Sequence, residues 1–396
     1  MIESDSGRAG PLVGIVVADL SRALAGPHAA MMLGDLGATV VKVETPSGDD
    51  TRGWGPPFLQ PSDADRQSTY FLSANRNKRS IVTDLKTEPD RDLLARLIAR
   101  SDVLVENFRT GVLARLGFGE ARLHELNPRL IILSITGFGH DGPEGGRPGY
   151  DQIAQGEAGL MSVTGSGPSD PQRVGVPIAD LLAGIYGAYG VVAALHERRE
   201  SGAGRIVRTS LLAGVVGVHA FQGTRWTVAG DVAAAQGNHH PSIAPYGLFA
   251  CGDGAVQIAV GSEKLWTAFC RGFGIDPHRE GMSTNSERVS DRDAVVALVE
   301  DTFANWKAQE LLARLDQIGV PAGKVRSLDE VYRWEQTASQ GLTVGVQHDT
   351  LGPLTLPGPP LRFFGLDGGE ITRQHHDPPP VLDADGADIR RWLSTA

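Results

Sequence analysis

Cysteine is nearly absent: two in 396 residues, Cys251 and Cys270, form no C-x-x-C pair and no metal-type spacing. A disulfide scaffold and a zinc module are therefore excluded, no metal is expected, and a reducing cytoplasm is the expected setting. Basic charge is in deficit too, with 37 Lys and Arg against 47 Asp and Glu and a formal net charge of −10. That balance argues against a general nucleic-acid binder, so a polyanionic ligand has to meet a local basic patch. Residues 1–10 are acidic and Gly-containing, with neither the basic nor the apolar region of a signal peptide. The main apolar stretch, 181–195, is too short and Gly-rich for a bilayer span and lies between Asp180 and His196. It reads as a buried helix, and no membrane partner is expected.

Several catalytic signatures are missing as well. The first strand-to-helix junction, 20–27, holds no G-x-G-x-x-G, which removes the best support for a dinucleotide site in a parallel sheet. Gly165-Ser166-Gly167 lacks the third glycine and follows no expected strand. No G-x-S-x-G elbow, H-E-x-x-H helix or P-loop occurs, which excludes the commonest hydrolase and nucleotide triphosphatase readings. The adjacent pair His239-His240 points opposite ways on an extended chain, so the two do not share a metal.

What is present is an ample apolar content, 41%, with 50 glycines and 24 prolines suited to many tight turns. The length favours two domains. In the first half, short β-branched runs alternate with helical patterns, as in a parallel α/β sheet. Strands are expected at 14–19 (GIVVAD), 39–44 (TVVKVE), 80–84, 103–106 and 130–135, with helices at 27–36, 89–99 and 111–126. A Gly- and Pro-rich loop, 136–177, precedes the helix that starts near Asp180. Residues 247–260 read as two strands around a turn, followed by helices at 263–273, 292–305 and 307–319, a second and smaller α/β unit. Short Pro-broken strands follow from residue 342, and a helical tail, 386–393, closes the chain.

Loops beyond the carboxyl edge of such a sheet, here Asn107 to Gly111, are where α/β folds bind ligands. The basic run Asn75-Arg76-Asn77-Lys78-Arg79 enters a strand at the opposite end, and a solvated basic face explains it equally well on spacing alone. Asp180, placed before an apolar helix, reads locally as a helix N-cap. A carboxylate held there and facing a cleft would also be able to attack a carbonyl. Phe221 and Trp226 read as core side chains or, alternatively, as walls of a substrate pocket.

Taken in order, Ala25-Gly26-Pro27, Leu36-Gly37-Ala38, Val41-Lys42-Val43-Glu44, Asn77-Lys78-Arg79-Ser80, Val105-Glu106-Asn107-Phe108 and Val174 to Asp180 resemble the family III coenzyme A transferases, across nearly the whole chain. That group includes formyl-CoA and carnitine-CoA transferases and shares its fold with α-methylacyl-CoA racemases. The resemblance implies a Rossmann-like large domain, 1–222, a small α/β domain, 223–335, a C-terminal return to the large domain, 336–396, and an interlocked homodimer. It implies that Arg22, Ala23, Ala25, Asn107, Phe108 and Arg115 line the coenzyme A site, with Asn75, Lys78 and Arg79 near the nucleotide. Asp180 is then the acyl-accepting carboxylate, and Tyr150 with Gly237-Asn238-His239-His240 forms the substrate loop. Coenzyme A and acyl-CoA enter as substrates, with no prosthetic group. An Asp with reference pKa near ~3.9 is already an anion at neutral pH, so no separate base is expected.

The racemases carry a histidine where this chain has Tyr150, a poor proton acceptor at neutral pH. Transfer of coenzyme A from an acyl-CoA donor to a carboxylic acid is thus preferred over racemisation or epimerisation. A non-catalytic acyl-CoA binding protein is the alternative from another class, and the presence of Asp180 argues against it.

Overall fold

The computed structural model describes residues 9–395. The N-terminal residues read above for a targeting signal fall outside that range except for the last two. The chain divides into two compact units. The first comprises the residues up to Leu160, Val174–Ala229 and the residues from Glu335 onward; the second comprises Met161–Arg173 and Gly230–Trp334.

The first unit is built on a six-stranded parallel sheet. Its strands lie in the order Lys78–Val82, Thr39–Glu44, Val16–Asp19, Val103–Glu106, Ile131–Thr136, Ile206–Ser210. The chain thus starts in the middle, winds outward one way, then returns and winds the other way. The reversal falls between Val16–Asp19 and Val103–Glu106, and the loops leaving these two strands diverge to open a crevice at their carboxyl ends.

Both faces of the sheet are covered, which is why the strands read as continuous apolar runs rather than alternating ones. On one face Val17, Val103, Val105, Ile131 and Leu133 pack against the helices Ala25–Asp35 and Ile178–Ser201. On the other, Ala18, Val41, Leu104 and Ile132 pack against Glu88–Ala99 and the C-terminal helix Gly386–Ser394. The edge strand Lys78–Val82 is stopped by the C-terminal segment: the Asp385 and Asp383 carboxylates accept the amides of Ser80 (2.9 Å) and Val82 (2.7 Å). Side-chain acceptors there deny the edge to another strand.

The helix Ile178–Ser201 is long and apolar enough to cross a membrane by length and composition. Its buried side, however, consists of small residues, Ala179, Ala183, Gly184, Gly187 and Ala188, laid on the sheet and on Ala25–Asp35. The approach is close: a Cβ at Gly184 would sit 2.7 Å from the carbonyl oxygen of Ala25.

The second unit holds a three-stranded antiparallel sheet, Ala322–Gly323, Gly254–Ala259 and Tyr246–Cys251. The helices Glu263–Phe273, Arg292–Phe303 and Ala308–Gln317 cover it around Phe249, Ile258, Trp266, Phe269 and Phe303.

Several sequence expectations are corrected. A sixth parallel strand, Ile206–Ser210, was not anticipated; it is a half-exposed edge carrying Arg208, and its pattern lacks a buried run. The helix expected over 111–126 is broken into Val112–Arg115 and Glu120–Leu126 because Gly117, at φ 94°, takes the left-handed backbone. The loop 136–177 contains the helix Asp151–Glu157. Phe221 and Trp226 lie on the helix Ala220–Ala229 and are exposed rather than core.

Gly184→Ala is expected to destabilise the protein by about 1–3 kcal/mol through overpacking against fixed backbone, read as a lower urea midpoint.

Candidate active site

The crevice at the strand reversal is a cleft of about 380 Å³. Arg22, Ala23, Ala25, Asn107, Phe108, Tyr150 and Asp180, all expected from sequence, line it together. The two loops that leave Val16–Asp19 and Val103–Glu106 are clasped by one side chain. The Asn107 carboxamide accepts the amide of Arg22 (2.8 Å) and donates to the Arg22 carbonyl (2.7 Å), satisfying both backbone groups of that residue. Ala23 follows with φ 63°, a left-handed conformation uncommon for a residue with a Cβ. The Arg22 guanidinium lies over the Phe108 ring at 5.6 Å.

Buried charges hold this turn from below. Lys78 Nζ donates to Asp19 (2.8 Å), to the Pro27 carbonyl (2.8 Å) and to Asn75 (2.9 Å). Lys42 Nζ donates to Asp49 (2.8 Å) and to the Ser21 carbonyl (3.1 Å). Asp49 in turn accepts the Ala23 amide at 3.4 Å. Burial alone would raise Asp19, but Lys78 and Lys42 outweigh it and hold the carboxyl below its usual range. Burial also pulls Lys78 down, to about 8, despite Asp19.

The other expected residues lie elsewhere. Asn75 and Lys78 are buried beneath the turn and do not line the cleft. Arg79, half-buried on the edge strand, and Arg115, exposed in the last turn of Val112–Arg115, are also outside its lining. Gly237, Asn238, His239 and His240 belong to the second unit, where His239 packs edge-on against Phe249 and His240 stacks on Tyr246.

Asp180 is not the helix cap. It lies in the first turn of Ile178–Ser201, whose N-cap, Pro177, offers no side-chain acceptor. That role falls to Asp151, whose carboxylate reaches across to accept the amides of Ala179 (2.8 Å) and Asp180 (3.4 Å). The arrangement also corrects the expectation of an ordinary aspartate: burial, and then the charge of Asp151, push Asp180 up to about 7. Tyr70 lines the same cleft, packed edge-on against Trp54. Burial and the charges of Asp180, Asp151 and Asp49 push its phenol up to about 12, so it stays a donor at physiological pH.

Sequence reading missed Trp54, Tyr70 and Asp151. For Asp151 a signal existed, since it directly follows Tyr150; for the other two only the fold supplies proximity. Among the described residues no group of three or more His, Cys, Asp or Glu could hold a metal.

The family model for CoA-transferase family III matches residues 12–386. The chain belongs to CoA-transferase family III. Relatives carry that chemistry in their names. The succinate–glutarate CoA-transferase of Agrobacterium fabrum is 38% identical, over 89% of this chain and 91% of its own. The acetyl-CoA:oxalate CoA-transferase of Acetobacter aceti is 35% identical, over 96% of this chain and 95% of its own. A CaiB/BaiF family protein from Brucella suis has a crystal structure that superposes with a TM-score of 0.85 at 38% identity, covering 98% of this chain and all of that one. The six-stranded parallel sheet with its covering helices is thus the fold of these family III proteins.

In this family III cleft the charge of Asp151 can be removed without losing its acceptor oxygen. Asp151→Asn is expected to lower the Asp180 titration midpoint, followed by carboxyl-carbon NMR, from about 7, while burial keeps it above the ordinary aspartate value of ~3.9. The midpoint falls because removing the neighbouring negative charge makes the Asp180 anion less costly; an unmoved midpoint would contradict the coupling.

Proposed function

We propose that this chain moves coenzyme A from an acyl-CoA donor to a carboxylic acid, with Asp180 as the covalent carrier. The observation that carries the reading is a carboxyl group in the cleft at the strand reversal, beside the Arg22 and Asn107 turns, in a chain of CoA-transferase family III.

The steps balance without an external energy source. An Asp180 carboxylate oxygen attacks the thioester carbon and expels the coenzyme thiolate, leaving a mixed anhydride. The thiolate then attacks the Asp180 carbonyl, releasing the donor acid and leaving an aspartyl thioester. The acceptor carboxylate attacks that carbonyl and expels the thiolate again. Finally the thiolate takes the acceptor's acyl carbon and Asp180 leaves as a carboxylate. No proton is consumed overall. Raised to about 7, Asp180 is part-ionised at neutral pH.

Negative charge developing on the carbonyl oxygen calls for donors, supplied here by backbone amides of the glycine-rich loop, of which Gly137, Gly146 and Gly149 line the cleft. The acceptor class we favour is a short dicarboxylic acid. Arg22 and Arg109 line the cleft as cations, beside Arg147, which is paired with Glu144 and Glu157, and relatives are named for glutarate, oxalate and mesaconate.

A second copy of the chain completes the functional unit in this reading. Tyr189, 73% exposed, Trp226, 60%, and Val228, 83%, with Ile185 and Phe221, make an apolar surface on the helices Ile178–Ser201 and Ala220–Ala229. We assign the chain to the reducing cytoplasm on its unpaired Cys251 and Cys270, and read Ile178–Ser201 as a core helix rather than a membrane span.

Incubation with succinyl-CoA and glutarate is expected to give glutaryl-CoA, and hydroxylamine or borohydride trapping to modify the peptide carrying Asp180. Asp180→Ala should bind coenzyme A but lose transfer by at least about a thousandfold, as for a lost nucleophile. Exchange of α-protons without transfer would instead make the protein a racemase, and binding without either would make it a carrier. Light scattering should give twice the chain mass, with Trp226→Glu shifting it towards the monomer.

A further inference from the structure

Behind the Asn107–Phe108 wall of the cleft lies a row of polar side chains that coenzyme transfer does not use. Glu106 and Ser134 are register partners on adjacent strands, and Arg208 continues the row on the next strand. Glu106 and Ser134 are 7% and 8% exposed. A buried carboxyl group in such a place has to be hydrogen-bonded. One Glu106 oxygen accepts the Phe108 amide at 2.9 Å, and the other is in direct contact with the Ser134 hydroxyl. That hydroxyl meets His140 Nε2 at 2.7 Å.

His140 belongs to the loop 137–149, which supplies the other wall: Gly146, Arg147, Pro148 and Gly149 line the cleft, as do Asn107 and Phe108. The loop is pinched at its base, where a Cβ on Gly137 would lie 2.6 Å from the amide nitrogen of Gly149. From this loop His140 reaches Ser134 on the strand Ile131–Thr136. Four groups therefore lie in series: Phe108 amide, Glu106 carboxyl, Ser134 hydroxyl, His140 imidazole.

We propose that His140 is a positioning residue of the coenzyme cleft: through Ser134 and Glu106 it latches the loop 137–149 to the Asn107–Phe108 turn, so that one hydrogen-bonded chain sets both walls. The proposal rests on the reading of this cleft as the coenzyme A site.

The chemistry of the three groups suits a latch. Burial raises Glu106, and burial with the nearby Arg208 lowers His140, against the opposing charges of Glu120 and Asp141. Both shifts favour uncharged forms. A neutral imidazole has one donor and one acceptor nitrogen, and a hydroxyl donates once while accepting, so the series can be satisfied in either direction. With Nε2 protonated, His140 donates to Ser134, which donates to a Glu106 carboxylate. With Nε2 bare, a protonated Glu106 donates to Ser134, which donates to His140. The Phe108 amide keeps an acceptor in both cases. Arg208 is taken up by Glu120, at 2.5 Å, and so leaves the histidine to the serine.

Calorimetric titration with free coenzyme A tests the latch. His140→Ala should weaken coenzyme A binding by about five- to tenfold, the worth of one partly buried hydrogen bond, and raise KM for acyl-CoA more than it lowers kcat. His140→Gln, which keeps a donor and an acceptor, should bind within about twofold of wild type. If the groups act in series, the His140→Ala, Ser134→Ala double variant should bind no more weakly than Ser134→Ala alone. A His140→Ala protein with wild-type affinity, a His140→Gln protein as weak as His140→Ala, or additive losses in the double variant would each overturn the latch. A wild-type protein that binds no coenzyme A would refute the coenzyme site itself, an outcome distinct from these.

Discussion

Two lysines without access to water determine how the carboxyl edge of the sheet is arranged. Lys42 and Lys78 are 0% and 3% exposed, and each would be costly to bury unless paired. Their partners, Asp49 and Asp19, are not spare surface carboxylates. Asp19 ends the first strand, and its carboxylate also accepts the amide and hydroxyl of Ser21, while Asp49 accepts the amides of Thr51 and Ala23. Each ion pair therefore sets the path of the Ser21–Ala23 turn, which Asn107 then clasps from the neighbouring strand's loop. Removing either lysine would strand a buried carboxylate under the turn, so charge neutrality in the core and the geometry of the cleft are one constraint.

A second constraint concerns the Asp180 carboxyl group. Burial and the neighbouring Asp151 make the anion of Asp180 costly, and that cost is what distinguishes it from a surface aspartate. A carboxylate that is less stabilised than usual is a better nucleophile, at the expense of being only part-ionised at neutral pH. Asp151 cannot be dispensed with, because it terminates the helix on which Asp180 sits. The helix start and the acidity of Asp180 thus depend on the same side chain.

Much of this was legible in the chain itself, for reasons that can be named. Runs such as TVVKVE at 39–44 announce buried parallel strands because both faces of the sheet are covered, and the loop after Glu106 was recognisable as a cleft wall from its place at the carboxyl end of a strand. Strand order was not legible, since nothing in a strand's residues says which neighbour it pairs with, and the half-exposed Ile206–Ser210 lacks the buried pattern altogether. The resemblance placed Asn75 and Lys78 near the nucleotide, whereas the basic run alone left a solvated face equally open, because it reads the same whether it meets phosphate, water or buried carboxylates. Asp180 looked like a cap because the true acceptor, Asp151, lies 29 residues earlier. A pKa near 7 follows from surroundings that sequence does not show.

The C-terminal residues that stop the edge strand and cover the sheet have a consequence for how the protein is made. Ile389 and Leu393 belong to the same core as Val41 and Leu104. Until residues 383–393 have been synthesised, the sheet has one face incompletely covered and the amides of Ser80 and Val82 lack these acceptors. The second unit, by contrast, is assembled from Met161–Arg173 and Gly230–Trp334 and is fully synthesised earlier. The order of emergence therefore inverts the order in the chain: the unit that begins first is completed after the other, and its edge strand waits for Asp383 and Asp385.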